Sequence, residues 1–329
     1  MNRRDSVLGL LALGASLGPL AARAQKKPGT PVRIGLLSTS AASRNSPSMV
    51  CFRNALRDAG WVEGKNMSIE YRFAENVASR YPELAVELAG LQLDLVVANG
   101  TPGVQAMHRA TRTIPVVMVA VSDPVKSGVI ASLARPGGNI TGVSNFLPAT
   151  SGKLIEFLRL VAPRLARFGV LHNPDNAGKL LELEELRVAA KSVSVAIHPL
   201  EARSASELKA ALPAALKARC ESLIVLQEGV TFAGRVQITQ FAATNRLPAI
   251  YQIREFTDAG GLMSYGLNYC RHYERSAHYV DKILTGSKPA DLPVELPASF
   301  ELVINRKAAG AIGLAIPQSL LIRADEVIG

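Results

Sequence analysis

Aromatic residues and clustered positive charge are both scarce in this 329-residue chain. Phe, Trp and Tyr make up 5% of the residues, and no run of Lys or Arg is longer than two. The net charge of +10 is therefore spread along the sequence. Proteins that bind nucleic acids concentrate cations on one face, and those that bind single strands add aromatic stacking surfaces. The composition argues against nucleic acid as a partner.

Cysteine is also rare, and the three cysteines are far apart. Cys51, Cys220 and Cys270 form no C-x-x-C motif and no cluster with histidine, which argues against structural zinc or a disulfide framework. We expect three small core residues, with at least one free buried thiol. The sequence has no dinucleotide-binding G-x-G-x-x-G, no P-loop and no H-E-x-x-H zinc motif. We therefore predict neither an enzyme nor a bound metal or cofactor.

Long apolar runs are missing, except for one of moderate length near the N-terminus. Arg3 and Arg4 precede 14 uncharged residues at 7–20, and a small-residue cleavage site ends at Ala24. A membrane-spanning helix needs about 20 apolar residues, so we interpret 1–24 as a signal peptide rather than an anchor. The paired arginines are compatible with twin-arginine export. The predicted location is the periplasm.

From residue 32 onward, short apolar strands alternate with amphipathic helices, which indicates an α/β fold. The strand predicted over 94–98 is apolar along its length, as expected where helices cover both faces of a parallel sheet. The alternation begins again after a turn at 137–139. We therefore predict two doubly wound parallel-sheet lobes, joined by extended crossings, with a ligand cleft between them. Lobe 1 would comprise 25–143 and 267–298, and lobe 2 would comprise 144–266 and 299–329.

Polar residues follow several of the predicted strands. In an open parallel sheet, ligands bind beyond the carboxyl ends of the strands. Backbone N–H groups of helices that begin there attract a carboxylate or phosphate. Thr101 and Asp123 each precede a proline, a pattern typical of helix starts. Asp123, Glu228 and Glu255 are candidate partners for an ammonium group, and ordinary turns and caps remain the alternative.

Several longer segments resemble one family of exported proteins. They are AVSDPV (120–125), SLARPGGNITG (132–142), GWVEGKN (60–66), AGGLMSYG (259–266) and YVDKILTG (279–286). Together they are similar to the tryptophan/tyrosine-type substrate-binding proteins of ABC transporters. The resemblance covers nearly the whole chain after the predicted signal peptide and implies a type 1 periplasmic binding fold. Its two lobes would be joined by three crossings, near 140–146, 263–267 and 297–304, and would close on the ligand.

The resemblance also implies ligand contacts in strand-end loops of both lobes. Carried onto matching positions, these are Ser38, Thr101, Ser122 and Asp123 in lobe 1 and Asn173, Asn176, Glu255 and Tyr265 in lobe 2. The sequence departs from the family at Gln227 and Glu228, where Asp or Asn with Pro is commoner, and at His172, where Trp is frequent. We expect these positions to touch or border the ligand, and Gln227 and Glu228 therefore complete the candidate site.

The function that the resemblance implies is capture of a small polar solute, an amino acid or related carboxylate, for an ABC importer. The protein would deliver this solute to a permease in the inner membrane. We expect a monomer without a cofactor. A sensory receptor that presents its closed form to a membrane partner has the same fold and stays open as an alternative.

Overall fold

The computed structural model describes residues 30–39, 44–145 and 149–329, so the predicted signal peptide at 1–24 lies outside the described residues. Residues Pro31–Gly329 form one unit that contains two sheets. Among the residues described, we find no helix with both the length and the apolarity needed to cross a bilayer.

The first sheet has five strands, all parallel, in the order β2-β1-β3-β4-β5. They are β1 (Val32–Ser38), β2 (Met67–Phe73), β3 (Leu95–Asn99), β4 (Val116–Val121) and β5 (Ile140–Ser144). Along β3, Leu95 and Val97 face one helical layer, whereas Val96 and Ala98 face the other. The apolar strand predicted near 94–98 is therefore buried on both faces, as a doubly wound sheet requires.

Helices cover both faces of this first sheet. α1 (Pro47–Asp58) and α10 (Tyr269–Leu284) pack on one face, while α2 (Arg80–Gly90) and α3 (Gly100–Ala110) pack on the other. α1 begins where the Ser46 hydroxyl accepts a hydrogen bond from the Met49 backbone N–H at 3.3 Å. Pro47 suits the first helical position because it has no N–H to leave unsatisfied.

The second sheet has seven strands in the order β12-β11-β10-β9-β8-β6-β7. They are β6 (Arg167–His172), β7 (Ala196–Glu201), β8 (Ser222–Val225), β9 (Ala249–Tyr251), β10 (Met263–Gly266), β11 (Glu301–Asn305) and β12 (Glu326–Ile328). Its helices are α4 (Ala149–Val161), α5 (Ala177–Ser192), α6 (Ala205–Lys217), α7 (Gly229–Ala233), α8 (Arg235–Thr244), α9 (Arg254–Asp258), α11 (Arg306–Ala311) and α12 (Gln318–Leu321). Separate apolar clusters lie on its two faces. The prediction of an α/β protein with two parallel-sheet lobes is confirmed.

One strand pair departs from the predicted parallel arrangement. β10 and β11 are antiparallel, with Ser264 opposite Val303. The path of the chain explains this, because β10 ends where the chain leaves for α10 of lobe 1. β11 begins where the chain returns from lobe 1, so the two strands run in opposite directions.

The chain passes between the two sheets three times, and two passages are shorter than predicted. The first follows β5 at Asn145, and its remaining predicted residues up to 146 lie outside the described part. The second is only Leu267 and Asn268, because the residues before them belong to β10. The third spans 296–300, between β11 and Glu295. The backbone of Glu295 is hydrogen-bonded to Gly142 and Ser144 at the edge of the first sheet.

The expectation that the sequence holds no disulfide is wrong. Cys51 of α1 and Cys270 of α10 form a disulfide, with their Cα atoms 5.5 Å apart. The pairing is invisible in the sequence because 219 positions separate the two residues, and only the return of the chain to lobe 1 brings α10 beside α1. Cys220 is buried and free, as was expected of at least one thiol.

Loss of this disulfide should destabilise the protein. Removing a native disulfide costs about 2 to 5 kcal/mol, which corresponds to a fall in Tm of roughly 4 °C or more. We expect this fall when Cys51→Ser or Cys270→Ser is compared with the native protein by circular dichroism. Cys220→Ala is the matched control, because it leaves the disulfide in place. Its Tm should fall on reduction by dithiothreitol as much as the native Tm does. Three free thiols in the native protein, titrated under denaturing conditions, would contradict the assignment.

Candidate ligand-binding site

A cavity of about 330 Å³ lies between the two lobes, at the carboxyl ends of strands from both sheets. Lobe 1 contributes the ends of β1, β3 and β4 and the first turns of α10, and lobe 2 contributes the loops after β6, β8 and β9. Eight of the ten predicted site residues line it. They are Ser38, Thr101, Ser122, Asn173, Asn176, Gln227, Glu228 and Glu255. These residues are far apart in sequence, but the strands bring them to one place, where open parallel sheets bind ligands.

Asp123 does not line this cavity, although the preceding residue does. Its carboxylate accepts a hydrogen bond from the Lys126 backbone N–H at 3.0 Å and lies 3.6 Å from the Lys126 ammonium group. The predicted helix start at Asp123 is wrong, because β4 is followed by turns rather than a helix. The backbone of Asp123 lies in the left-handed region in this turn, at φ 37°.

Tyr265 also lies outside the main cavity. Its ring stacks on Phe300 with centroids 5.5 Å apart and meets Phe157 edge-on at 5.0 Å. The rings of Tyr265 and Phe300 line a smaller space of about 40 Å³ beside the crossings, together with Asn145 and Leu267. Tyr265 therefore belongs to the packing at the base of the cleft.

The predicted cap at Thr101 is replaced by a different contact. α3 begins at Gly100 after Asn99, two residues earlier than a Thr101 cap would allow. The Thr101 hydroxyl instead accepts the backbone N–H of Ser122 at 3.1 Å. This bond ties the ends of β3 and β4 together at the cavity wall.

Two glycines allow the lobes to meet closely. At Gly178 in α5, a Cβ atom would lie 2.9 Å from Ser122 Cβ and closer still to the Thr101 hydroxyl. At Gly229 in α7, a Cβ atom would overlap the side-chain oxygen of Asn76. Since each glycine belongs to lobe 2 and its neighbours belong to lobe 1, the structure is the closed form.

A partner for an ammonium group would need a free carboxylate, and Glu228 does not provide one. One of its oxygens accepts the backbone N–H groups of Val230 at 2.9 Å and Thr231 at 3.2 Å, which caps α7. The other accepts from the Asn173 amide at 3.3 Å. Burial raises the pKa of this carboxyl above its ordinary value, although these hydrogen bonds act in the opposite direction. Glu228 thus organises the wall of lobe 2.

Sequence reasoning missed a buried ion pair at the lobe interface. Lys179 Nζ donates to Glu182 Oε1 at 2.5 Å, and both side chains are largely buried. Lys179 also lines the main cavity. A lysine three residues before a glutamate on a helix is usually a solvated pair. Here Glu182 also accepts a hydrogen bond from Ser122 of lobe 1, a contact that the local pattern does not reveal.

Among the residues that the structure describes, four aromatic side chains line the cavity, and sequence reasoning missed them all. They are Tyr81, Phe232, Tyr269 and Tyr273. Tyr273 accepts a hydrogen bond from the Asn99 amide at 2.7 Å, and burial raises its pKa. Arg235 covers the Phe232 ring at 4.7 Å and also lines the cavity. Tyr269 is the first residue of α10, where the chain has just returned to lobe 1, and no local pattern marks it as a cavity residue.

Comparison with known proteins agrees with this architecture. The profile of the family described as ABC transporter substrate binding protein matches residues 46–328. The tyrosine-binding protein of Clostridioides difficile (strain R20291) is 27% identical over 263 residues, 80% of this chain and 75% of that protein. A conserved domain protein from Vibrio cholerae is 26% identical, with a TM-score of 0.84, over 91% of this chain and 100% of that chain. An ABC domain from Streptococcus pneumoniae in complex with L-Trp is 24% identical, with a TM-score of 0.82, over 91% and 100%.

Two α/β lobes that meet around a cavity at their strand ends define a two-lobed solute-binding protein of the type 1 periplasmic binding fold. The chain belongs to the family of ABC transporter substrate-binding proteins. This is a family of solute-binding proteins rather than enzymes, and it implies a small-molecule ligand and a membrane permease as partners.

A side chain at Gly178 should hold the lobes apart. We expect Gly178→Ala to bind ligand at least about tenfold more weakly, a loss of about 1.4 kcal/mol. Small-angle scattering of the ligand-saturated variant should show a larger radius of gyration than that of the native protein. Gly152→Ala is the control, because a Cβ atom there meets nothing within 4 Å. Native affinity and native scattering in Gly178→Ala would show that the lobes close without this contact.

Proposed function

We propose that the protein is the solute-binding component of an ABC importer and that its solute is an α-amino acid with an aromatic side chain. The observation that carries the proposal is the pairing of an uncapped helix N-terminus in lobe 1 with a carboxylate in lobe 2 across one cavity. A ligand that bridges both lobes stabilises the closed form through contacts that the open form lacks.

The ligand carboxylate would lie at the start of α3. Among the described helices that begin at the cavity, four are capped by a side chain: α1 by Ser46, α5 by Asn176, α7 by Glu228 and α10 by Asn268. The start of α9 has no side-chain cap, but Glu255 in its first turn disfavours an anion there. Asn99 precedes α3 and makes no side-chain cap, because its amide donates to Tyr273 instead. The first N–H groups of α3, at Gly100 and Thr101, therefore suit an anion.

The ligand ammonium group would face Glu255 of α9. Among the described residues this carboxylate forms no ion pair within 4.0 Å, unlike Glu228 and Glu182, whose oxygens are occupied within the protein. Burial raises the pKa of Glu255, mainly because water is excluded around it. An ammonium group would compensate for that lost hydration.

Aromatic side chains and two relatives favour an aromatic amino acid. Tyr81, Phe232 and Tyr273 supply apolar surface of the kind that packs against a ring. The volume of about 330 Å³ falls at the small end of ligand pockets. One relative is named for tyrosine, and one structural neighbour holds L-Trp.

The test is titration of ligand-stripped protein, prepared by unfolding and refolding, with L-tyrosine, L-tryptophan and other amino acids. We expect binding of an aromatic amino acid, and Glu255→Gln should weaken it at least about tenfold because the ammonium group loses its charged partner. Isothermal titration calorimetry measures both. The matched control is Asp258→Asn, which removes an exposed carboxylate from the same helix.

Two results would overturn the proposal. Binding of sugars or nucleosides, with no response to amino acids, would reject the solute class. Native affinity in Glu255→Gln would reject the ammonium site while leaving the solute class in place.

We also propose that the protein is exported to the periplasm as a monomer, with 1–24 as a cleaved signal peptide. Mass spectrometry of protein from the periplasmic fraction should give an N-terminus near Gln25. Replacing Arg3 and Arg4 by lysine should block export if the twin-arginine route is used. Protein that retains Met1 in the cytoplasmic fraction would contradict the proposal.

A further inference from the structure

A chain of hydrogen bonds runs from lobe 1 into lobe 2 and back again beside the cavity. Ser122 Oγ donates to Glu182 Oε1 at 2.5 Å, and Gln252 Nε2 donates to Glu182 Oε2 at 2.9 Å. The Gln227 backbone N–H donates to Gln252 Oε1 at 2.7 Å, and Tyr269 donates to Gln227 Oε1 at 2.9 Å. Ser122 and Tyr269 belong to lobe 1, and the other three belong to lobe 2. The chain is therefore complete only when the lobes are closed.

Glu182 is the centre of this chain, although it does not line the main cavity. Its two oxygens accept from three donors, namely Ser122, Gln252 and the buried ammonium group of Lys179. An ionised carboxylate has acceptor sites for all three and carries no competing donor. An amide at this position has only one oxygen and presents two N–H groups. Glutamine therefore cannot reproduce the arrangement.

The contact with Glu182 determines what Ser122 can offer to a ligand. A serine hydroxyl has one hydrogen, and here that hydrogen is given to the carboxylate. The backbone N–H of Ser122 is also used, by Thr101. Toward the cavity, Ser122 therefore presents only acceptor lone pairs. A buried acceptor left without a donor is costly, so such a wall selects a ligand with an N–H group at this point.

We propose that Glu182 is a positioning residue that sets ligand specificity by orienting the Ser122 hydroxyl, so that Ser122 accepts from the ligand's ammonium group. The proposal rests on the amino-acid ligand proposed above. Glu182 acts through Ser122 and touches no ligand. Its loss should therefore change the choice between ligands and not only the overall affinity.

The experiment compares L-tyrosine with 3-(4-hydroxyphenyl)propionate, which has the same ring and carboxylate but no amine. We expect the native protein to prefer L-tyrosine and Glu182→Gln to lose at least about tenfold of that preference, since the amide can donate to Ser122 and turn its hydrogen toward the cavity. Ser122→Ala should lose a similar amount. The double variant should lose little more than either single variant, because both act at one contact.

Controls separate this role from simple damage. Glu184→Gln changes an exposed glutamate on the same helix and should keep the native preference. Should Glu182→Gln fail to fold because it strands the Lys179 charge, Lys179→Gln with Glu182→Gln removes both charges together. Circular dichroism checks the fold of each variant.

The outcomes are distinct. Equal weakening of both ligands, or additive effects of the Glu182 and Ser122 substitutions, would overturn the assignment of Glu182. Absence of L-tyrosine and L-tryptophan binding to the native protein would instead overturn the proposed function. A native preference in Glu182→Gln, with amino-acid binding intact, would overturn the inference alone.

Discussion

The close approach of α5 to lobe 1 is the contact on which the closed cavity depends. Gly178 faces Thr101 and Ser122 without a side chain between them, and this brings the α5 helix to the ends of β3 and β4. The next residue, Lys179, and Glu182, one helical turn further along, form a largely buried ion pair that contacts Ser122 of lobe 1. Removal of these charges from water is costly, and their pairing with each other and with donors from both lobes offsets that cost. The buried charges of lobe 2 are thus linked to lobe 1 through Ser122.

The protein satisfies most of its own polar groups at the cavity and leaves a few for the ligand. Glu228 is committed to the cap of α7, and Asn176 is committed to the cap of α5. The first turn of α3 has no side-chain cap, and Glu255 keeps a carboxylate without an ion-pair partner among the described residues. These two features lie in different lobes. A zwitterion would therefore be attracted to both, and its binding would favour closure.

Local patterns in the sequence predicted the strands, and the strand-end rule together with the family resemblance predicted eight of the residues that line the cavity. Contacts between lobes could not be predicted in this way. By their spacing Lys179 and Glu182 look like an ordinary solvated pair, and nothing local predicts their contact with Ser122 of lobe 1. Cys51 and Cys270 meet only because α10 returns to lobe 1. The prediction of a helix start at Asp123 was wrong because turns and helix starts share the same Asp-Pro pattern.

The departure from the family at Gln227 and Glu228 need not change the type of ligand. Both residues border the cavity, but their side chains are engaged within the protein: Glu228 caps α7, and the Gln227 side chain accepts from Tyr269 of the opposite lobe. The Gln227 backbone also belongs to the chain of hydrogen bonds that passes through Glu182. A change at these positions therefore acts first on how the lobes hold together. The groups that would face a zwitterion, at the start of α3 and at Glu255, are supplied by other segments.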